Sequence, residues 1–86
     1  MALYKLLWKK SAISDLSQIE QSFIANIIKA VEELQTNPFP YGFKKLSGAD
    51  KIYRIRVGQY RIIYSVFQNI LTIEIVRVRH RKDVYK

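Results

Sequence analysis

The sequence predicts a small α+β domain of two layers, in which a pair of helices packs on one face of an antiparallel sheet. Three observations support this. Apolar residues recur at spacings of three and four between residues 13 and 34, the period of amphipathic helix. Between residues 52 and 78 the pattern changes to alternation, broken by short polar turns. With 86 residues, the chain is expected to form a single domain, 1–86, around a modest core.

The first half is expected to form one strand and two helices. Residues 2–8 mix apolar and aromatic side chains in a short run typical of a strand. The helical stripe is expected to break between Gln18 and Gln21, because one helix of about 24 residues exceeds the usual globular length. Ser11 is placed to cap the first helix, and Asn37 with Pro38 stops the second. One continuous helix is the alternative.

The second half is expected to form a meander of strands. A loop from Pro38 to Asp50 is expected to include a short strand near Phe43 to Leu46. Two-residue turns, at Gly58 with Gln59 and at Gln68 with Asn69, make the strands that follow antiparallel. Those strands are expected at residues 52–57, 60–67 and 70–78. The last is rich in Ile and Val, which favours a place in the interior of the sheet.

Alternation assigns the arginines of the first two of these strands to one face of the sheet. Arg54, Arg56 and Arg61 alternate with apolar and aromatic residues, so they are expected on the face that the helices leave uncovered. The residues after Val78 are expected to add further basic side chains from a C-terminal tail. The tyrosines of the other face are expected to pack in the core: Tyr53, Tyr60 and Tyr64.

The net charge lies entirely in the second half of the chain. Residues 1–43 carry four lysines and four acidic residues, whereas residues 44–86 carry eleven basic and three acidic ones, so the second half holds the whole net charge of +8. All six arginines lie between residues 54 and 81. Clustered guanidinium groups match phosphate geometry and release condensed counterions on binding. A nucleic-acid partner is therefore expected.

Composition excludes other classes of function. The chain has no cysteine and one histidine, so neither a disulfide framework nor a zinc site is expected, and no metal or cofactor. No apolar run approaches the ~20 residues that cross a bilayer, and the N-terminal residues lack the pattern of a secretory signal. A cytoplasmic location without a membrane partner is expected.

Two segments of the second half carry a family resemblance. They are YRIRVGQYRIIY at residues 53–64 and VRHRKDVY at residues 78–85. Together they resemble the RelE/ParE superfamily of bacterial and archaeal toxins. The upstream elements are similar in order and length, including Trp8 at the end of the first strand and KKLSG at residues 44–48. The resemblance thus extends over nearly the whole chain.

The resemblance implies the RelE-like fold and the toxin of a type II toxin–antitoxin pair, with a cognate antitoxin protein as partner. Its RelE branch cleaves mRNA in the ribosomal A site without a metal, through attack of the 2′-hydroxyl on the phosphodiester, so ribosome and mRNA are expected partners. Its ParE branch inhibits DNA gyrase without chemistry of its own. The basic tail and Tyr85 favour the RelE branch. A gyrase inhibitor, or an inactive relic that only binds its antitoxin, stays as an alternative.

The resemblance implies a site at Arg54, Arg56, Arg61, Arg81 and Tyr85, and the other candidates come from the pattern of basic residues. The catalytic candidates are Arg56, Arg61, Arg81 and Tyr85, with His80 as a helper. The substrate-binding candidates are Arg54, Lys44, Lys45, Arg79 and Lys82. Arg61 and Arg81 are assigned to the phosphate, where bidentate donors help as negative charge develops. Arg77 is expected outside the site, paired with Glu74 or at the end of its strand.

The general base is left open. The RelE pattern has lysine at the places of Arg54 and Arg56, and a guanidinium is a poor proton acceptor at neutral pH. A histidine imidazole titrates near neutrality, so His80 is one candidate. Tyr85, surrounded by cations that would favour its ionised form, is the other, unless it stacks on a nucleotide base.

Overall fold

The computed structural model describes residues 3–46 and 51–82. Its elements are β1 (Lys5–Trp8), α1 (Lys10–Ser17), α2 (Gln21–Glu33), β2 (Lys44–Lys45), β3 (Ile52–Val57), β4 (Tyr60–Phe67) and β5 (Thr72–His80). The α+β class, the two helices and the break between them are confirmed. β1 is shorter than the predicted run of residues 2–8, and β2 falls within the predicted segment 43–46. In the described part of the chain, neither helix combines the length and apolar character needed to cross a membrane.

The five strands form one mixed sheet in the order β1-β5-β4-β3-β2. β3, β4 and β5 are the predicted antiparallel meander, and β2 adds antiparallel to β3 at one edge. β1 pairs parallel with β5 at the other edge. The helices therefore carry the chain across one face of the sheet, as a connection out of a parallel strand must. β5 lies in the interior, as its Ile and Val content predicts.

The core lies between the helices and one face of the sheet. Tyr64 is fully buried at its centre, and its hydroxyl donates a 2.7 Å hydrogen bond to the Pro38 carbonyl. Burial raises the pKa of Tyr64 well above its ordinary value, so the hydroxyl stays protonated. The other fully buried large side chains come from both layers: Ile27, Val31, Leu34, Ile62, Ile73 and Ile75.

The first turn of α1 differs from the prediction. Lys9 occupies the N-cap, and no side chain caps the helix. Ser11 instead donates from Oγ to the Val76 carbonyl at 2.7 Å. One turn later, Asp15 accepts from the Val78 backbone N–H at 2.9 Å. Because β1 ends opposite Ile75, these two side chains satisfy the backbone of β5 where its edge partner has stopped.

The connection between β4 and β5 also differs. Gln68–Ile70 form a 3₁₀ turn, and Leu71 follows with a φ of +46°. The connection takes four residues rather than the predicted two. The sequence pattern assigns Ile70 and Leu71 to the strand because they are apolar. β5 therefore begins at Thr72 and continues to His80. Consequently Arg79 and His80 belong to the strand and not to the predicted tail.

Candidate nucleic-acid interface

Three arginines stand side by side across the sheet. Arg56 on β3 is the cross-strand partner of Arg61 on β4, and Arg61 is the partner of Arg79 on β5. Residues directly opposite have Cβ atoms about 5 Å apart, and like charges in such pairs destabilise a sheet. The row lies on the face opposite the core. An anion bound there would neutralise the repulsion.

A β-bulge brings Arg79 into this row. Ile63 pairs with Arg77 while Tyr64 pairs with Ile75, so Val76 is an extra residue in β5. Unbroken alternation from Ile75 would put residues 77 and 79 on the core face. The bulge shifts the alternation by one residue, so that Val78 is buried in the core and Arg79 joins the arginine face.

A second level of cations flanks the row. Arg54 lies two residues from Arg56 on the same face, and Lys44 is its cross-strand partner on β2. The Arg54 Nη1 and Arg61 Nε atoms are shielded from water. Lys45 pairs with Tyr53, so alternation places it on the other face. Of Lys44 and Lys45, both predicted to bind substrate, the structure brings only Lys44 to the arginine face.

A small cavity forms where these arginines meet the β3–β4 turn. Arg56, Arg61 and Arg81 line it with Gly58, Gln59 and Tyr60, and its volume is about 60 Å³. Arg81 is held there by its backbone N–H, which donates to the Gln59 carbonyl at 2.7 Å. We call this cavity the arginine pocket. Three of the predicted catalytic residues therefore converge, from β3, β4 and the segment after β5.

Tyr60 has a larger role than the sequence predicts. Its ring is half-buried, and it packs against Phe23 of α2 with ring centroids 5.7 Å apart. It also lines the arginine pocket. Tyr60 is the first residue of β4, next to the β3–β4 turn, so a residue on the core face contributes to the site. The alternation of the sequence predicts that Tyr60 lies in the core, but it does not predict that Tyr60 also lines the arginine pocket.

His80 lies beside the arginine pocket rather than in its lining. Its ring sits edge-on to Tyr60, with centroids 5.4 Å apart, in the wall of a separate open pocket of about 400 Å³. Nδ1 accepts from the Lys82 backbone N–H at 3.2 Å, and Nε2 lies 3.1 Å from Gln59 Oε1. Because Nδ1 accepts, the neutral ring carries its proton on Nε2 and donates to Gln59. Both ring nitrogens are thus engaged.

Arg77 pairs with Asp15, and not with Glu74. Its Nε and Nη2 donate to the two carboxylate oxygens at 2.9 and 3.1 Å. Partial burial alone would raise the pKa of Asp15, but the Arg77 and Val78 hydrogen bonds and the charges of Arg77 and Arg79 hold it below 3.8. The same hydrogen bond raises the pKa of Arg77. Arg77 is therefore a structural cation, held by Asp15 rather than by the predicted Glu74.

Asp15 and Gln59 are the residues that the sequence pattern misses. Asp15 is 62 residues from Arg77 in sequence, and Gln59 reads only as a turn residue. No local pattern marks either, because their partners come from distant elements. Tyr85 lies outside the described residues. Lys82, the last described residue, is exposed.

Known proteins are similar to the chain over nearly its whole length. The family model of the ParE toxin of type II toxin–antitoxin systems, parDE, matches residues 6–85. Toxin RelE3 of Methanocaldococcus jannaschii is 38% identical over 85 residues, 94% of each chain.

Two crystal structures of complexes contain similar chains. The RelB–RelE antitoxin–toxin complex from Methanococcus jannaschii matches at 34% identity and a TM-score of 0.73, covering 92% of this chain and 94% of the other. The archaeal RelE–RelB complex from Pyrococcus horikoshii matches at 26% identity and a TM-score of 0.81, covering 92% and 96%. The chain therefore belongs to the RelE/ParE superfamily of type II toxin–antitoxin systems, and within it to the RelE-like branch.

Proposed function

We propose that the protein is the toxin of a type II toxin–antitoxin pair and an endoribonuclease that cuts translated mRNA on the ribosome. The observation that carries this proposal is the convergence of Arg56, Arg61 and Arg81 on one pocket of about 60 Å³. A pocket of that volume suits a phosphate group. Guanidinium groups are the side chains best matched to phosphate oxygens.

The arginine pocket suits the charge changes of the reaction. The 2′-oxygen bonds to phosphorus while the bond from phosphorus to the 5′-oxygen breaks, which yields a 2′,3′-cyclic phosphate and a 5′-hydroxyl. The phosphorane between these states carries extra negative charge, which fixed guanidinium donors stabilise more than they stabilise the starting diester. One proton leaves the 2′-hydroxyl and one reaches the departing oxygen. Tyr85 stays the candidate for one of these transfers, or for stacking on a base.

The flanking cations bind the neighbouring nucleotides. Arg79 extends the row beside Arg61, and Arg54 with Lys44 forms a second level one step further from the turn. Such contacts to phosphates position the strand without reading its sequence. Lys82 is exposed beside Arg81 and continues the same surface. We leave Lys45 out of the site, because its register places it on the other face.

The proposal includes an antitoxin and a place of action. RelE relatives crystallise in complexes with RelB antitoxins, and the cationic face suits an acidic chain that folds on contact. Ribosomes and mRNA place the activity in the cytoplasm. Co-expression with the product of the adjacent gene tests the partner: we expect the two to co-purify at high affinity, and two proteins that elute separately would contradict the pairing.

The nuclease is tested by mapping RNA 5′ ends after the protein acts on ribosomes translating a defined message. The parent should cut within translated codons. Arg61→Gln and Arg81→Ala should each lower kcat/KM by roughly 10²- to 10³-fold, as loss of a transition-state donor does. Lys29→Ala, which removes an exposed lysine of α2 on the helix side, is the matched control and should cut like the parent.

Two outcomes would contradict the nuclease. Intact messages together with defective DNA supercoiling by gyrase would identify the non-enzymatic inhibitor. Intact messages with normal supercoiling, in a protein that still binds its antitoxin, would identify the relic. Circular dichroism of each variant excludes unfolding as the cause of lost activity.

A further inference from the structure

We propose that His80 is a positioning residue, whose ring clamps the segment that carries Arg81 onto the β3–β4 turn, and that it is not the general base. For its effect on cleavage this inference rests on the proposed function. Its structural part, that the ring orders residues 81 and 82, stands independently. Arg81 lies beyond the end of β5, where one backbone hydrogen bond, from its N–H to the Gln59 carbonyl, joins it to the β3–β4 turn.

The ring of His80 is fixed by three contacts from three directions. Nε2 meets the side-chain oxygen of Gln59 at 3.1 Å, and Nδ1 accepts the backbone N–H of Lys82 at 3.2 Å. Tyr60 packs edge-on against the ring, at 5.4 Å between centroids. Tyr60 is in turn packed against Phe23. The ring is thus anchored through Tyr60 to α2 and through Gln59 to the turn.

These contacts enclose Arg81 on both sides. Gln59 contacts two consecutive residues. Its side chain hydrogen-bonds His80, and its backbone carbonyl accepts the Arg81 N–H at 2.7 Å. The bond from Lys82 to Nδ1 then folds the next residue back onto the same ring. The backbone of Arg81 is therefore held by its neighbours on either side as well as by its own N–H. Arg81 thereby lines one pocket with Arg56 and Arg61.

The same contacts leave the ring unsuited to proton abstraction. A general base needs a free lone pair within hydrogen-bond reach of the 2′-hydroxyl. The Nδ1 lone pair of His80 is engaged by Lys82, and Nε2 carries the proton that Gln59 accepts. The ring is also absent from the residues that line the arginine pocket. Both the position of the ring and its tautomer therefore favour a positioning role for His80 over that of a general base.

Amide replacements separate a clamp from a base. Asn places an oxygen near the position of Nδ1, and Gln places an N–H donor near Nε2, but neither amide can take up a proton at neutral pH. We expect His80→Ala to lower kcat roughly 100-fold, as a displacement of about 1 Å does, while KM changes little because the other cations still hold the RNA. His80→Asn and His80→Gln should each recover about tenfold of that loss. If both were as inactive as His80→Ala, His80 would be the base.

A matched pair of glutamines tests the partner. Gln59→Ala removes the side chain that meets His80, and we expect kcat to fall about tenfold, the effect of one lost hydrogen bond. Gln68→Ala removes an exposed glutamine from the connection at the opposite end of β4 and should behave as the parent. In the double variant of Gln59 and His80, the losses should be clearly less than multiplicative. Independent, fully multiplicative losses would overturn the clamp.

Amide hydrogen exchange tests the clamp without any RNA. In the free protein, His80→Ala should accelerate exchange at the Arg81 and Lys82 amides about tenfold, and His80→Asn should preserve the protection of Lys82. If these shifts occur in a protein that cuts no RNA, the clamp stands and the proposed function fails. If the parent cuts RNA but the exchange rates of both amides are the same in His80→Ala as in the parent, the proposed function stands and the clamp is wrong.

Discussion

Arg56, Arg61 and Arg79 occupy directly opposed positions on three adjacent strands. Cross-strand neighbours of like charge destabilise a sheet by about 0.2–1 kcal/mol per pair. Residues that act on a ligand are commonly retained at such a cost to stability. The row should therefore show opposite effects on stability and on function when one member is neutralised.

Arg56→Gln tests this opposition. Arg56 is exposed, so its replacement disturbs little packing and relieves the repulsion with Arg61. We expect the free energy of unfolding in urea to rise by about 0.2–1 kcal/mol, while the rate of mRNA cleavage falls at least roughly tenfold. Arg56→Lys keeps the charge and should show no such gain in stability. A loss of stability in Arg56→Gln would contradict a repulsive row.

Asp15 contributes to stability in a way that depends on pH. Only 15% of its side chain is exposed, and its carboxylate serves both Arg77 and the Val78 N–H. Its pKa in the folded protein lies below the ordinary value of 3.8. A carboxyl group of this kind stabilises the fold fully above its ordinary pKa, and the stabilisation disappears as the pH falls through the lowered value.

Asp15→Asn should therefore destabilise the protein most at neutral pH. We expect a loss of about 1–3 kcal/mol at pH 7, since a shielded charge-assisted pair is broken. The difference from the parent should persist down to the ordinary carboxyl pKa and shrink below it. Urea unfolding as a function of pH measures this, with Glu32→Gln as a control for the loss of one exposed carboxylate. A difference that stayed constant into strong acid would contradict an ionic contribution from Asp15.

The β3–β4 turn sets the geometry of the site at the level of elements. Gly58 opens it with a φ of +61°, in the left-handed region that favours glycine. The turn delivers Gln59, whose carbonyl receives Arg81. A substitution that distorts this turn should therefore lower the stability of the hairpin and also disturb the arginine pocket.

Gly58→Ala measures that coupling. A Cβ at this position would meet nothing within 4 Å, so the cost is conformational and we expect about 1–2 kcal/mol in the free energy of unfolding. Gly58→Asn should lose less, because asparagine tolerates the left-handed region. The rate of mRNA cleavage should follow the same order, with Gly58→Ala slower than Gly58→Asn. Equal stability of the two variants would contradict a conformational origin.

Sequence reasoning succeeds for elements whose pattern is regular and local. Alternation places Arg54, Arg56 and Arg61 on the open face, and the helical period with its break predicts α1 and α2. It fails at the start of β5, where Leu71 belongs to a turn although it is apolar, and it gives no sign of the Val76 bulge that shifts the alternation by one residue. These departures are decided by tertiary contacts, such as the bonds from α1 to the edge of β5, which no local pattern encodes.

At the scale of the whole molecule, the two halves of the sequence supply different parts of the fold. The neutral half supplies both helices and the edge strand β1, and the half that holds the charge of +8 supplies the other four strands. Counting charges is enough to predict a cationic surface. It is not enough to predict the pocket, because the approach of Arg81 to the turn depends on Gln59 and on the register of β5.

Binding to single-stranded RNA should report the number of cations engaged. We expect the affinity for a short non-cleavable oligonucleotide to fall as the salt concentration rises. If six cations contact phosphates, a plot of the logarithm of the association constant against the logarithm of the salt concentration should have a slope of about −4. Arg56→Gln should lower the magnitude of that slope by about 0.7, and Lys29→Ala should leave it unchanged. A slope near zero would contradict phosphate binding by this face.

The most direct test of the central claim is a structure of the protein on a ribosome whose message carries a 2′-O-methyl group at the nucleotide to be cut. The modification blocks the attacking hydroxyl and preserves the phosphate. We predict that the scissile phosphate occupies the arginine pocket, within hydrogen-bond distance of the guanidinium groups of Arg56, Arg61 and Arg81. A scissile phosphate bound against the helices, or contacted by none of these three side chains, would contradict the assignment of the pocket.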